Sequence, residues 1–129
     1  MKKVLVCREK DPAETRVALI PDDIKKLIQM GFSFKVVAGS GLKSGFSDEA
    51  YKKAGAEIVE NEESAYADSD IVVRIMKPET AKGLKKDTLH LSYLDPFNEK
   101  DLLNEFASEG VQAVSLEMIP RTTLAQKMD

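Results

Sequence analysis

The sequence predicts an α/β fold, a doubly wound and mostly parallel sheet in a three-layer sandwich of the Rossmann or flavodoxin type. Short apolar runs of strand length alternate with segments whose apolar residues recur at helical spacing. The first run, residues 4–7, is apolar throughout, as is typical of a parallel strand covered on both faces. Such alternation implies right-handed crossovers, which place helices on both faces of the sheet.

The first helix is the most clearly marked element. Its apolar positions Ile24, Leu27 and Ile28 fall at helical spacing and should face the sheet. Pro21 suits a first helical turn and Gly31 is a good C-terminal stop. The helix is therefore predicted from about residue 21 to residue 30.

Polar caps and a proline mark the other elements. Ser47, Asn61 and Asn98 each precede a helical pattern and are the predicted N-caps of three further helices. Pro78 stops the fourth strand. The alternation leaves room for one more helix between the fourth and fifth strands. The strands are predicted at residues 4–7, 34–38, 57–59, 71–75, 88–92 and 111–116.

Composition indicates one soluble domain, residues 1–129. A chain of 129 residues can bury a core of its own. The net charge of −3 comes from interspersed acids and bases, which argues against a nucleic-acid partner, because such partners favour a basic stripe. The sequence has no apolar stretch long enough for a bilayer and no signal-peptide core. We therefore expect a cytoplasmic segment, which could still belong to a membrane-bound complex.

Cys7 and His90 are single residues of their kinds, and both are expected in the core. One thiol cannot form an internal disulfide, and no Cys/His cluster suggests a metal site. Cys7 ends an apolar run, which favours a buried structural thiol. His90 lies inside the fifth strand, where a hydrogen-bonded core histidine is favoured over an acid–base catalyst.

A glycine-rich segment at residues 39–45 (GSGLKSG) raises the question of a phosphate-binding loop. Such a loop opens a helix directly, so that backbone N–H groups meet the pyrophosphate. Here the next helix begins only at Ser47, and no acidic residue is clearly placed to hold a ribose. The spacing favours a plain turn over a nucleotide site.

Three candidate positions follow different strands and should meet at the carboxyl edge of the sheet, where ligands bind in such folds. Arg16 follows the first strand; it could hold a carboxylate or phosphate through its guanidinium fork, or pair with Glu14. Lys77, just past the end of the fourth strand, is a possible anion contact, although a solvated lysine is favoured. Asp95 lies just past the fifth strand, placed either for chemistry or for a turn.

The polar tail carries a spaced set of three side chains, Arg121, Gln126 and Asp129. Together they supply a fork of donors, an amide with a donor and an acceptor, and a carboxylate acceptor. This set suits a carboxamide and ribose hydroxyls. The residue types alone permit that role without requiring it.

Several segments together resemble the N-terminal domain shared by alanine dehydrogenases and the alpha subunits of NAD(P) transhydrogenases. They are residues 14–21 (ETRVALIP), 45–48 (GFSD), 51 with 54–56 (Y and AGA), and 117–121 (EMIPR). The resemblance runs from about residue 4 to residue 129. As a set the motifs are specific, although each one is weak alone.

Within this family, two departures argue against amino-acid chemistry. Alanine dehydrogenases resemble this chain in the arginine at Arg16, which holds the pyruvate carboxylate. They carry a catalytic lysine at the position of Met76 and a catalytic histidine at the position of Asp95. Methionine cannot supply an ammonium group.

The transhydrogenase branch is the closer resemblance. Its pattern resembles residues 92–98 (SYLDPFN), although Phe97 stands where a glutamine is usual. Its characteristic loop is matched at Arg121, Gln126 and Asp129, with Leu124 at a position where the family often has a second arginine. In that family the loop contacts the nicotinamide end of NAD(H) and the partner component that binds NADP(H).

The resemblance therefore implies hydride transfer between NAD(H) and NADP(H), coupled elsewhere to proton translocation. Arg121, Gln126 and Asp129 are the implied catalytic and cofactor-binding residues, and Arg16, Met76 and Asp95 would be remnants of a substrate cleft. The complete subunit would add an NAD-binding Rossmann domain after Asp129, form a homodimer, and lie peripheral to the membrane with its membrane component. The 129-residue chain would be an incomplete first domain without activity of its own.

Two other interpretations stay open. One is a divergent alanine or saccharopine dehydrogenase. The other is a non-catalytic flavodoxin-like module such as a receiver domain. A receiver needs paired acids at the end of the first strand and an aspartate at the end of a central strand, whereas residues 7–11 read CREKD and the fourth strand leads into Lys77 and Pro78.

Overall fold

The computed structural model describes residues 2–118. The strands are β1 (Lys2–Val6), β2 (Phe32–Val37), β3 (Glu57–Val59), β4 (Ile71–Met76), β5 (Leu89–Tyr93) and β6 (Gln112–Ser115). The α-helices are α1 (Pro21–Gln29), α2 (Asp48–Ala54), α3 (Glu62–Ala65) and α4 (Lys100–Ser108). Short 3₁₀ turns cover Leu42–Ser44, Tyr66–Asp68 and Leu116–Met118.

All neighbouring strands pair in parallel, in the order β3-β2-β1-β4-β5-β6. The parallel, doubly wound prediction is confirmed. The chain builds outward from β1 to β3 and then crosses back to the other side of β1, where β4 begins the second half. The topological switch point therefore lies between β1 and β4, and in such sheets it is the place where the carboxyl ends of the strands open a crevice.

The two faces of the sheet carry separate apolar layers. On the α1–α2 face, Val4, Val6 and Val36 pack against Ile24 and Tyr51. On the α3–α4 face, the strand residues that alternate with those of the first face pack against Tyr66, Leu102 and Phe106. Fully burying one large apolar side chain stabilises the folded state by roughly 1.5–3 kcal/mol, so both apolar layers contribute to the stability of the fold. The β5–β6 end of the α1–α2 face remains partly open, with Tyr93 40% and Val114 36% exposed.

Two of the three predicted helix caps are present. The Ser47 side chain accepts a hydrogen bond from the backbone N–H of Ala50 at 3.2 Å, and Asn61 accepts from Ser64 at 3.1 Å. The cap predicted at Asn98 is wrong, because α4 begins only at Lys100. The Asn98 amide instead donates to both oxygens of Asp95, at 3.0 and 3.2 Å, so it belongs to the loop after β5.

The stretch between β4 and β5, residues 77–88, is a loop with turns and contains no helix, so the optional extra helix is not formed. Thr88, predicted in the strand, lies just before it and donates its hydroxyl to the carbonyl of Lys85 at 2.7 Å. Across residues 2–118, no helix has the length and apolar character that a bilayer crossing demands.

Candidate functional site

The three candidate cleft residues all lie at the carboxyl edge of the sheet. Met76 is the last residue of β4 and is the register partner of Tyr93 on β5. Asp95 follows Tyr93 by two positions, and the Arg16 side chain lies within electrostatic range of the Tyr93 hydroxyl. Tyr93, to which the sequence analysis assigned no role, therefore lies in the same region of the sheet edge as these three residues.

Arg16 is bound by its neighbour Glu14. Arg16 Nε donates to Glu14 Oε2 at 2.9 Å and Nη2 to Oε1 at 2.8 Å, while the Arg16 backbone N–H donates to Oε2 at 3.0 Å. These hydrogen bonds lower the pKa of Glu14 to about 2. Of the two predicted alternatives, the structure shows the Glu14 pairing. Because 63% of the Arg16 side chain is exposed, a ligand carboxylate could still approach it.

Glu9 connects the loop after β1 to the end of β4, a contact that no local pattern in the sequence predicts. Its carboxylate accepts from the backbone N–H groups of Ile75 and Met76, at 2.9 and 2.8 Å. The β4–β5 register is irregular between Val73 and Met76, which is where these bonds are made. A side-chain carboxylate thus takes the place of a strand partner and fixes the backbone on which Met76 sits.

Asp95 is held by several contacts. Its φ angle of 52° is in the left-handed region, which aspartate tolerates better than most residues. Its backbone N–H donates to Glu117 Oε1 at 2.7 Å. Lys77 Nζ lies 3.6 Å from its carboxylate and 2.6 Å from Glu99 Oε1. Lys77, expected to be a solvated lysine, is instead paired with two acids, and the hydrogen bond that it donates to Glu99 raises its pKa.

A cleft of about 730 Å³ opens beside Arg16. Arg8, Lys10 and Lys43 contribute positive charge to its lining, and Glu9 and Glu14 contribute negative charge. The cleft has the size of a small-molecule site and polar walls on which an anion could be oriented.

The glycine-rich segment 39–45 forms one wall of this cleft but is built as a turn. Gly39 and Gly45 adopt φ angles of +81° and +87° on either side of a 3₁₀ turn. The backbone N–H of Gly39 already donates to Asp48 Oδ1 at 2.9 Å. A Cβ at Gly41 would come within 2.6 Å of the Tyr51 ring, so packing alone requires that glycine. The favoured interpretation as a turn agrees with these contacts.

Cys7 and His90 are both completely buried. The Cys7 prediction is confirmed, and burial raises the pKa of its thiol. For His90 the prediction is half wrong, because neither ring nitrogen has a hydrogen-bond partner within the described chain. Its ring instead packs on Phe106 with centroids 4.8 Å apart. Burial, with a smaller effect of the Arg74 charge, lowers the pKa of His90 to about 3, which makes it an unsuitable general base.

The tail residues Arg121, Gln126 and Asp129 lie outside the described residues, so their role stays a prediction. Among residues 2–118 there is no group of histidine, cysteine, aspartate and glutamate side chains suited to a metal ion.

Comparisons with known proteins agree with the fold. The family model for the alanine dehydrogenase/PNT N-terminal domain matches residues 5–129. The chain is 36% identical over 129 residues to the NAD(P) transhydrogenase subunit alpha of Cereibacter sphaeroides, covering 98% of this chain and 25% of that protein. It is 31% identical over 125 residues to alanine dehydrogenase 1 of Staphylococcus aureus, covering 95% of this chain and 33% of that protein.

The crystal structure of a transhydrogenase from Sinorhizobium meliloti superposes with a TM-score of 0.89 and 31% identity, over 99% of this chain and 39% of that one. The chain therefore spans between a quarter and two fifths of these relatives. Relatives of both kinds are oxidoreductases by name, and the family match extends over nearly the whole sequence. The chain belongs to the alanine dehydrogenase/PNT N-terminal domain family.

Proposed function

We propose that this chain is part of the NAD(H)-binding subunit of a proton-translocating NAD(P) transhydrogenase and serves hydride transfer between NAD(H) and NADP(H). The observation that carries the proposal is Met76. It lies 38% exposed at the edge of the sheet, at the position where the resemblance places the catalytic lysine of alanine dehydrogenases. A thioether can neither bind nor release a proton at neutral pH, whereas oxidation of an amino acid needs a group that does.

The neighbours of Met76 do not replace the lysine. Lys77 is bound to Glu99 and faces Asp95, so its charge is neutralised within the loop. Asp95 stands where the resemblance places the histidine, and its carboxylate accepts from Asn98. Hydride transfer between two nicotinamide rings needs close juxtaposition rather than an acid–base residue, which suits a cleft of this composition.

Residues 2–118 contain no helix N-terminus suited to binding the phosphates of a dinucleotide. Each α-helix of residues 2–118 carries at least one acidic residue in its first turn, and that negative charge would repel a pyrophosphate at the helix N-terminus. We therefore assign the pyrophosphate to the remaining part of the complete protein. Arg121, Gln126 and Asp129 are our candidates for the nicotinamide end. The complete protein would be a homodimer, peripheral to the membrane on the cytoplasmic side, that meets an NADP(H)-binding and a membrane component.

The test uses Gln126→Leu in the complete protein. A reacting ring misplaced by about 1 Å can cost on the order of 100-fold in rate. We expect single-turnover transfer from NADH to an NADP analogue to slow by about that factor, while NADH affinity, measured alongside, changes little. Gln29→Leu, an exposed glutamine on α1, is the matched control and should transfer at the normal rate.

The same preparation distinguishes the amino-acid dehydrogenase alternative. Oxidation of alanine or saccharopine by the complete protein, without transfer between nucleotides, would replace the transhydrogenase assignment. An unchanged transfer rate in Gln126→Leu would mean that the tail residues Arg121, Gln126 and Asp129 do not orient the nicotinamide ring.

A further inference from the structure

Phe97 is the most exposed large apolar side chain in residues 2–118, with 80% of its surface open to solvent. The other four phenylalanines of the chain are buried or half-buried in the two apolar layers. Phe97 lies in the middle of residues 95–99, a turn after β5 that we call the Phe97 turn. Because β5 ends at the carboxyl edge, this ring lies at the same edge of the sheet as Met76.

The Phe97 turn is held in one conformation by its own polar groups. The carbonyl of Asp95 accepts from the backbone N–H groups of Asn98 and Glu99, at 3.1 and 3.0 Å. The Asp95 carboxylate accepts from the Asn98 amide, and Lys77 binds both Asp95 and Glu99 from the end of β4. An aromatic side chain on a backbone fixed in this way loses little conformational freedom when it binds a partner.

Negative charge predominates around the ring. Glu117 lies at the start of the turn, where it accepts from the backbone N–H of Asp95 at 2.7 Å. Asp95, Glu99 and Glu117 are thus three acids beside one base, Lys77. An apolar centre within a polar rim is the usual anatomy of a protein–protein interface, in which aromatic residues are enriched. The matching surface would be an apolar pocket with a basic rim.

The proposed function requires a second protein at this edge. A hydride passes directly only between two rings that are held in contact, so the component that carries NADP(H) has to approach the edge where the candidate residues lie. Phe97 is not part of the wall of the cleft beside Arg16, which is the candidate site for a small molecule. Its exposed ring is therefore suited to a protein surface.

We propose that Phe97 anchors the contact between this subunit and the NADP(H)-binding component, and that this component offers an apolar pocket with a basic rim. The inference rests on the proposed function and adds to it a contact residue outside the tail. Phe97 replaces the glutamine that is usual in the family, so the anchor is not carried over from its relatives.

The test titrates the complete protein with the purified NADP(H)-binding component. Calorimetry gives the Kd of the component, and single-turnover transfer from NADH to an NADP analogue gives the rate. Phe97→Ala should raise this Kd by about tenfold, because truncating a central aromatic anchor removes much of the binding energy. The transfer rate at saturation and the NADH affinity should stay as in wild type. Phe97→Leu, which keeps apolar surface, should be intermediate.

Met30→Ala is the matched control. Met30 is 72% exposed but follows α1 at the opposite edge of the sheet, just before β2, so this variant should bind the component as wild type does. The Kd of wild type should also rise with ionic strength, because salt screens the attraction between an acidic and a basic rim.

Normal transfer in wild type with an unchanged Kd in Phe97→Ala would overturn this inference and leave the proposed function in place. Absence of transfer in wild type would overturn the proposed function and this inference with it. Two further results would assign the ring to another contact. A lower melting temperature of Phe97→Ala with an unchanged Kd would show that the rest of the same protein covers Phe97. Altered sedimentation of that variant without the component would assign the ring to a contact between two copies.

Discussion

At the scale of single residues, the polar groups inside the sheet are the most informative feature. His90 is fully buried beside Arg74 and Phe106, and its nitrogens lack partners in the described chain. An imidazole in such surroundings is kept neutral, because its cation would lose hydration and gain no anion in return. His90 should therefore influence stability rather than catalysis, and that influence should depend on pH.

We predict that the chain loses stability between pH 7 and pH 5 because of His90. The unfolded chain protonates this residue near pH 6.5, whereas the folded chain does so only near pH 3. Since the unfolded state binds the extra proton in between, the free energy of unfolding should fall by about 2 kcal/mol from pH 7 to pH 5. Urea unfolding at the two pH values measures this difference.

The control for this prediction is His90→Leu, which should show little pH dependence over the same interval. Glu14 and Asp68, whose pKa values in the folded chain are lowered to about 2, lose their contribution mainly below pH 4.5 and therefore do not interfere. An equal loss of stability in wild type and His90→Leu would show that another group is responsible.

At the scale of elements, the end of β4 is held by a side chain from the loop after β1. Cys7 is the last residue of that segment to bond β4 through its backbone, with its N–H donating to the carbonyl of Val73 at 3.0 Å. Beyond it the Glu9 carboxylate accepts from Ile75 and Met76. The candidate cleft thus depends on two hydrogen bonds whose partners are 66 and 67 positions apart in the sequence.

We predict that Glu9→Ala loosens the end of β4 without unfolding the sheet. A hydrogen bond to a charged acceptor contributes roughly 1.5–3 kcal/mol, so amide hydrogen exchange at Ile75 and Met76 should become at least about tenfold faster. Glu9→Gln keeps one acceptor oxygen and should be intermediate. Glu60→Ala, an exposed acid at the same edge, serves as the matched control and should exchange as wild type does. Unchanged protection in Glu9→Ala would mean that other contacts hold this backbone.

At the scale of the whole molecule, the sheet has the strand order of a dinucleotide-binding fold but lacks its phosphate cradle in the described residues. Residues 7–20 separate β1 from α1, so no helix opens directly after the first strand. The first turn of α1 carries Asp22 and Asp23, and that of α2 carries Asp48 and Glu49. Strand order alone therefore does not make a nucleotide site.

We predict that the 129-residue chain shows no NADH binding in the micromolar range by calorimetry. The affinity of a dinucleotide site depends largely on the pyrophosphate at a helix N-terminus and on an acid that holds the ribose. Micromolar binding would contradict this prediction and would point back to the glycine-rich wall of the cleft beside Arg16. Gly39→Ala would then test that wall directly.

Most of the architecture could be predicted from sequence patterns. Apolar periodicity identified six strands and the buried face of α1, and local chemistry identified the caps at Ser47 and Asn61. These features can be predicted from the sequence because they depend on interactions between residues a few positions apart. The family was also readable, since its motifs are short segments of the chain.

The strand order and the environment of the site depend on contacts between distant parts of the chain. Asn98 binds Asp95 within its own loop instead of capping α4. Lys77 is paired because the loop after β5, which carries Asp95 and Glu99, lies beside the end of β4. The bonds of Glu9 to β4, the burial of Arg74 and the unsatisfied ring of His90 depend on which strands become neighbours. Hydrogen bonding and desolvation at these positions are set by residues far away in sequence, so no local pattern could have indicated them.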